Sequence, residues 1–281
     1  MKKIVVILMA ACFAFCGFSC DVPDGAPGAT LPETSSETTV PETKEVWPSI
    51  KPNITYNGGS MQYSLNSKMY SHWAYVNGDY KWLEEGKKLL TGDDWYYFEE
   101  RFDASKTAFV VMDPWIDWAD DYLNEYFGKI TKEKTLPLMQ AAAKAGHKVI
   151  ILTGSPKYST YNTKIDTGLE RMVSAKKAVK LYHEDYTKES FKAYLDNLGI
   201  ETLIYTGYAS NLCVLVRELG IVQMRSMGKR IFFVPECSGA IERADTWDSG
   251  LVHEISTLVI SQSQARLLDF SAMMEVYNTV K

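Results

Sequence analysis

Three side chains suited to covalent acyl chemistry fall at comparable points of a repeating pattern. A carboxylate, Asp113, directly follows an apolar run; an ammonium, Lys180, lies near the end of another; a thiol, Cys213, comes a short turn after a further run, where a helix begins. A thiol at a helix start beside a cation has a lowered pKa, and the thiolate is the reactive form. A neighbouring carboxylate can take the thiol proton and return it to a leaving amine. Backbone N–H groups at the same helix start can hold a developing oxyanion. Together the three residues describe a covalent hydrolase that attacks a carbonyl carbon of a small-molecule substrate.

Such chemistry needs elements that bring distant residues to one place. Apolar runs at 107–112, 148–153, 178–182, 201–206 and 230–235, with a weaker sixth at 257–260, alternate with amphipathic stretches such as 134–145 and 188–198. Several of these stretches close on a glycine that suits a helix end, at Gly146, Gly199 and Gly228. Continuous apolar strands separated by helices imply a sheet covered on both faces. The pattern predicts a doubly wound, Rossmann-like α/β fold: a mostly parallel sheet of about six strands with helices on both faces. Ligands of such sheets bind beyond the carboxyl ends of the strands, where Asp113, Lys180 and Cys213 converge.

At these residues the sequence resembles the isochorismatase-like cysteine hydrolases, relatives of the nicotinamidases and carbamoyl-sarcosine amidohydrolases. Asp113-Pro114-Trp115-Ile116-Asp117-Trp118 keeps both acids and the final aromatic of the family's first signature and replaces the three residues between. Gly207, Ser210, Cys213 and Val214 match its second signature, with Ser in place of Thr, and Lys180 stands 19 residues before Gly199, as the family lysine does. The resemblance covers about residues 105 to 270 and implies Asp113, Lys180 and Cys213 as a catalytic triad acting on an amide-like C–N bond. It also implies a cis peptide at Ala209-Ser210 and an oxyanion loop of Ala209, Ser210 and Cys213. Hydrolysis of another small carbonyl or vinyl-ether compound, and a non-catalytic small-molecule-binding lipoprotein, are the rival readings. The Asp-x-His pair that binds metal in many nicotinamidases is absent. The four histidines, His72, His147, His183 and His253, show no ligand spacing, so neither a metal nor another cofactor is expected.

Plainer roles compete at each position. A lone Cys is more often a small buried hydrophobe, which is the role expected of Cys237. Asp117 suits a helix N-cap. Lys176, Lys177 and Lys188 flank Lys180, which spacing favours. Ser174 and Lys177 fit a Ser-x-x-Lys pattern without its companion motifs, so chance explains it. Trp115 and Trp118, with Tyr122 and Tyr126 near the same helical face, suit either a pocket wall or core packing. Arg217 to Ile221 are expected to lengthen the helix after Cys213.

The chain opens with Lys2 and Lys3, then an uncharged apolar run and small residues before Cys20, the pattern of a signal peptide over residues 1–19. Ser19-Cys20 resembles the end of a lipobox, although Gly17 departs from the usual Leu, and ordinary signal cleavage could use the same bond. Residues 20–50, rich in Pro, Thr, Ser and Glu, bury too little surface to offset their ordering entropy and read as a tether. The expected protein is exported to the cell envelope and held at the membrane by an N-terminal lipid on Cys20. Residues 51–105 form an aromatic-rich extension suited to packing over the domain or its pocket, and 106–281 the hydrolase domain. The net charge of -5, with no basic face, excludes nucleic acid as a partner. The family resemblance implies a homo-oligomer.

Overall fold

Thr107–Met112 is a run of β-branched, aromatic and small apolar residues, and every one of them is buried, the condition of a central strand covered on both faces. The computed structural model describes residues 53–70, 73–76, 79–82 and 95–280; the signal, Cys20 and the tether lie outside the described residues. Six strands form a parallel array: β6 (Thr107–Met112), β7 (Lys148–Thr153), β8 (Val179–Tyr182), β9 (Thr202–Tyr208), β10 (Arg230–Gly239) and β11 (Arg266–Leu268). Their order across the sheet is β11-β10-β9-β6-β7-β8.

Successive side chains of a strand point to opposite faces, and the core divides accordingly. Phe109, Val111, Val149 and Ile151 join one apolar cluster, and Ala108, Val110, Met112, Ile150 and Leu152 join the other. On the first face lie the helices α1 (Asp121–Ile130), α2 (Leu136–Lys144), α3 (Thr167–Ser174) and α8 (Phe270–Asn278), α1 through its half-buried Trp118 neighbour and the rest through Leu138, Leu169 and Met273. On the second lie α4 (Lys188–Asn197), α5 (Cys213–Val216), α6 (Ile221–Ser226) and α7 (Leu251–Ser263), through Phe191, Val214, Ile221 and Ile260. Full burial of each such aliphatic or aromatic side chain contributes about 1.5–3 kcal/mol. Among the described residues no helix is long and apolar enough to cross a membrane.

One expectation is corrected. The apolar run 257–260 belongs to α7, and the sixth parallel strand is the three-residue β11 that follows it. A four-residue apolar run carries no period of its own; here Ser256 and Ile260 are buried one helical turn apart. The described strands of the extension enlarge the sheet. β2 (Ser60–Tyr70) pairs antiparallel with β11, with β1 (Thr55–Asn57) and, over nine residue pairs, with β5 (Trp95–Asp103). β3 (Trp73–Val76) and β4 (Asp79–Trp82) form a separate two-stranded ribbon.

A buried polar chain ties the extension to the domain. His147 Nδ1 lies 3.2 Å from the Thr107 carbonyl, which can only accept, so Nδ1 carries the proton and Nε2 accepts from the Tyr63 hydroxyl at 3.1 Å. The Tyr63 oxygen in turn accepts from Tyr277 at 2.6 Å. Burial holds His147 neutral, with its pKa lowered to about 4.

Candidate active site

The chain leaves β6 toward β7 and β8 on one side of the sheet and later returns to build β9, β10 and β11 on the other. The strand order therefore reverses between β6 and β9, the kind of switch point beyond whose carboxyl ends open α/β sheets bind ligands. Asp113 follows β6 and Cys213 begins α5 five residues after β9, so the topology alone brings the acid and the thiol to the carboxyl ends of these two neighbouring strands. Close approach of the two strands depends on Gly207. At φ +95° it occupies backbone space open to few other residues, and a Cβ there would lie 2.1 Å from the Met112 carbonyl oxygen.

Asp113 is fully buried and adopts φ +46°, the left-handed region that a non-glycine residue enters only where its surroundings hold it. Its N–H donates to the Leu152 carbonyl at 2.9 Å. Oδ1 lies 2.9 Å from His183 Nε2, and Oδ2 accepts from Arg217 Nη2 at 2.9 Å. The same Nη2 lies 3.0 Å from Cys213 Sγ, so one guanidinium nitrogen joins carboxylate and thiol. Arg217 Nη1 is 3.4 Å from His183 Nδ1, and Glu184 Oε2 lies 3.3 Å from that same ring nitrogen. Arg217 Nε is buried without a hydrogen-bond partner among the described residues.

Lys180 stands apart from this cluster. Its Nζ contacts both carboxylate oxygens of Glu170 at 2.9 Å. Strand alternation explains the placement: Leu181 packs into the second core cluster, so Lys180 faces the other side, where α3 presents Glu170. His183, three residues later in a short 3₁₀ turn, is the residue of this segment that reaches Asp113. Neither His183 nor Arg217 was singled out by the sequence reading. Arg217 lies four residues after Cys213, but α5 ends before it, so helical spacing gave no cue to its placement.

The expected lowering of the thiol pKa is reversed. Burial and, after it, the negative charge of Asp113 push the Cys213 thiol up to about 12, with Arg217 only partly offsetting them. The resting thiol is therefore protonated at neutral pH. Cys237 is fully buried in the first core cluster, its carbonyl accepting from Thr135, and burial raises its thiol too.

The cis peptide lies at Tyr208-Ala209, one bond earlier than expected. β9 runs on through Tyr208, whose ring stacks on Phe127 and whose hydroxyl bonds the Phe127 carbonyl, while Ser210 N–H already donates to Gly239 O at 2.8 Å. The chain thus turns between two anchored residues. The backbone N–H groups of Ala209 and Cys213 have no hydrogen-bond partner among the described residues. Ser210 contributes through its hydroxyl, 2.9 Å from His253 Nδ1 and 2.7 Å from Ser256 Oγ, which fastens the loop to α7.

Trp115 is core: its indole N–H donates to Thr153 Oγ1 at 2.8 Å and its ring backs His183. Trp118 is half-buried between Trp115 and Phe127 and packs in the small cluster that holds Ala209, beside the loop. Tyr122 and Tyr126 pack against Trp247. Asp120, not Asp117, caps α1; Asp117 accepts the N–H groups of Thr163 and Lys164. No group of three or more metal-ligating side chains occurs among the described residues.

No protein-family model and no curated protein matches the chain. Solved structures do. A cysteine hydrolase from Pseudomonas syringae pv. phaseolicola 1448A superposes with a TM-score of 0.50 at 16% identity, over 64% of this chain and 96% of that one. The YcaC gene product from Escherichia coli, described as an octameric hydrolase of unknown specificity, gives 0.47 at 17% identity over 62% and 79%. An isochorismatase from Pseudomonas putida KT2440 gives 0.45 at 17% over 60% and 90%. The chain has the α/β fold of the isochorismatase-like cysteine hydrolases.

Proposed function

We propose that this protein is a cysteine hydrolase that cleaves an amide-like C–N bond of a small molecule through an acyl-enzyme on Cys213. The observation that carries the reading is the hydrogen-bonded link from Asp113 through Arg217 to Cys213 Sγ, at a sheet switch point that also presents two unpaired backbone N–H groups. With the substrate carbonyl oxygen at the Ala209 and Cys213 N–H groups, Sγ attacks the carbonyl carbon as its proton passes to Asp113. Transfer during attack suits a thiol that rests protonated. The tetrahedral intermediate collapses as Asp113 returns that proton to the leaving nitrogen and the C–N bond breaks. Water then gives a proton to Asp113 and adds to the thioester. Expulsion of the thiolate, which recovers the proton, completes the cycle with atoms and charge balanced.

Mass spectrometry of the protein after incubation with a panel of small amides tests the reading. The expected result is an acyl adduct on the peptide bearing Cys213, absent from Cys213→Ala. Amide turnover that survives in Cys213→Ala would refute it. Export and a lipid on Cys20 belong to the same proposal, supported by Lys2, Lys3, the apolar run and the tether. Cys20→Ala is expected to abolish lipid labelling and release the protein from membranes; unchanged membrane association would remove the anchor.

A further inference from the structure

We infer that Arg217 is the cationic catalytic residue of this centre, that His183 positions Asp113 and Arg217, and that Lys180 takes no part. The inference rests on Cys213 as the nucleophile and identifies the group that governs its proton.

The backbone delivers Arg217 by breaking the helix after the nucleophile, where a longer helix was expected. α5 stops after four residues; Arg217 leaves it with φ −57° and ψ 156°, and α6 restarts only at Ile221. Gly220 makes the break compact. Its N–H donates to the Arg217 carbonyl at 2.7 Å, and a Cβ there would sit 2.9 Å from the carbonyl oxygens of Cys213, Val214 and Arg217 alike. An uninterrupted helix would carry residue 217 onward along its axis. The break instead lets the guanidinium return to Asp113.

The contacts match what a guanidinium does and an ammonium does not. Its planar fork spans two partners, Nη2 serving carboxylate and sulfur while Nη1 faces His183. Asp113 keeps the guanidinium charged against the penalty of burial. Arg217 retains its proton under all conditions, so the Cys213 proton has a single acceptor, Asp113. His183 acts through Asp113 and Arg217. It spans Asp113 Oδ1 on one ring nitrogen and approaches Arg217 Nη1 and Glu184 on the other, which fixes the carboxylate plane. Lys180 is already committed to both oxygens of Glu170.

The test follows iodoacetamide alkylation of Cys213 across the neutral to alkaline range in the full chain, with Cys237 as internal reference and as reporter of unfolding. Removing the charge in Arg217→Met is expected to slow Cys213 labelling at neutral pH about tenfold or more and move its pH profile to the alkaline side. Arg217→Lys, which keeps the charge but not the fork, is expected to slow it about threefold. Lys180→Met is expected to label like the parent protein. Equal slowing by Lys180→Met and Arg217→Met would overturn the inference while leaving Cys213 as the nucleophile. Should Arg217→Met unfold, shown by labelling of Cys237, the comparison of Arg217→Lys with Lys180→Met decides: slower labelling of the first supports the inference and equal rates overturn it. A parent Cys213 labelled no faster than Cys237 would defeat the nucleophile, and this inference with it.

Discussion

Replacing Asp113 with Asn should move two measurements in opposite directions. The carboxylate is one of the two forces that hold the Cys213 thiol protonated, and Oδ2 and Sγ share a guanidinium nitrogen at 2.9 and 3.0 Å, which places them within about 6 Å of each other. At an effective dielectric of about 20, a unit charge at that distance is worth about 3 kcal/mol, or about two pKa units. Neutralising it should raise the thiolate fraction near pH 7 about 100-fold. Nucleophilicity falls as the thiol pKa falls, with a Brønsted slope of about 0.4–0.5, so the alkylation rate should rise by about tenfold. Turnover should nevertheless be lost, because the carrier that moves the proton from sulfur to the leaving nitrogen is gone. The variant also strips the part-buried Arg217 and the buried His183 of their shared anion. Breaking a buried pair costs about 3–5 kcal/mol, which for a domain of this size lowers Tm by roughly 10 °C. Iodoacetamide kinetics, amide hydrolysis and a thermal melt on the same preparation read all three effects. An Asp113→Asn protein that alkylates no faster than the parent would refute the electrostatic argument, and one that still turns over amides would refute the proton carrier.

Three further outcomes follow from the same structure. His147 has a folded pKa of about 4, below its unfolded value of 6.5, so its neutral form contributes stability that is complete above pH 6.5 and is lost as pH falls toward 4, by about 3 kcal/mol. Urea titrations at the two pH values should show this loss, and it should shrink in His147→Gln. Gly207→Ala would force a Cβ to 2.1 Å from the Met112 carbonyl oxygen at φ +95°; it should yield little folded protein, measured as soluble expression and circular dichroism. Ser210→Ala removes the hydroxyl that joins the loop to His253 and Ser256 and should cost about 1–3 kcal/mol by denaturant titration. Its effect on turnover should exceed its effect on substrate binding, since the loop it anchors carries the proposed oxyanion donors.

The central strands were legible because their information is local. Residues 107–112 and 148–153 are continuous apolar runs, and burial on both faces selects that composition before any partner strand is known. Asp113 and Cys213 were legible for a related reason: one directly follows such a strand, the other lies a short turn beyond one, and the chemistry of a parallel sheet gathers at that edge. The run 257–260 was not legible as a helix, since four apolar residues fit either period until the buried positions one turn apart are known. The strands β2 and β5 hid in a stretch where half-buried aromatic and polar residues blur the alternation.

The cation of the site was beyond the sequence for a different reason. Lys180 stands at the expected spacing, and only the pairing of β8 with β7 decides which face it points to, because a shift of one residue would turn it over. Arg217 reaches Asp113 only because the chain breaks against Gly220, an event set by carbonyl groups packed 2.9 Å from where a side chain would begin. The state of the thiol is likewise a tertiary property. Its type and helix-start position promise a thiolate, but burial and the nearness of Asp113 outweigh them, and both depend on contacts between residues a hundred positions apart. Local composition settled the central strands and pointed to Cys213; which charges surround that thiol was decided by the register and packing that fold them together.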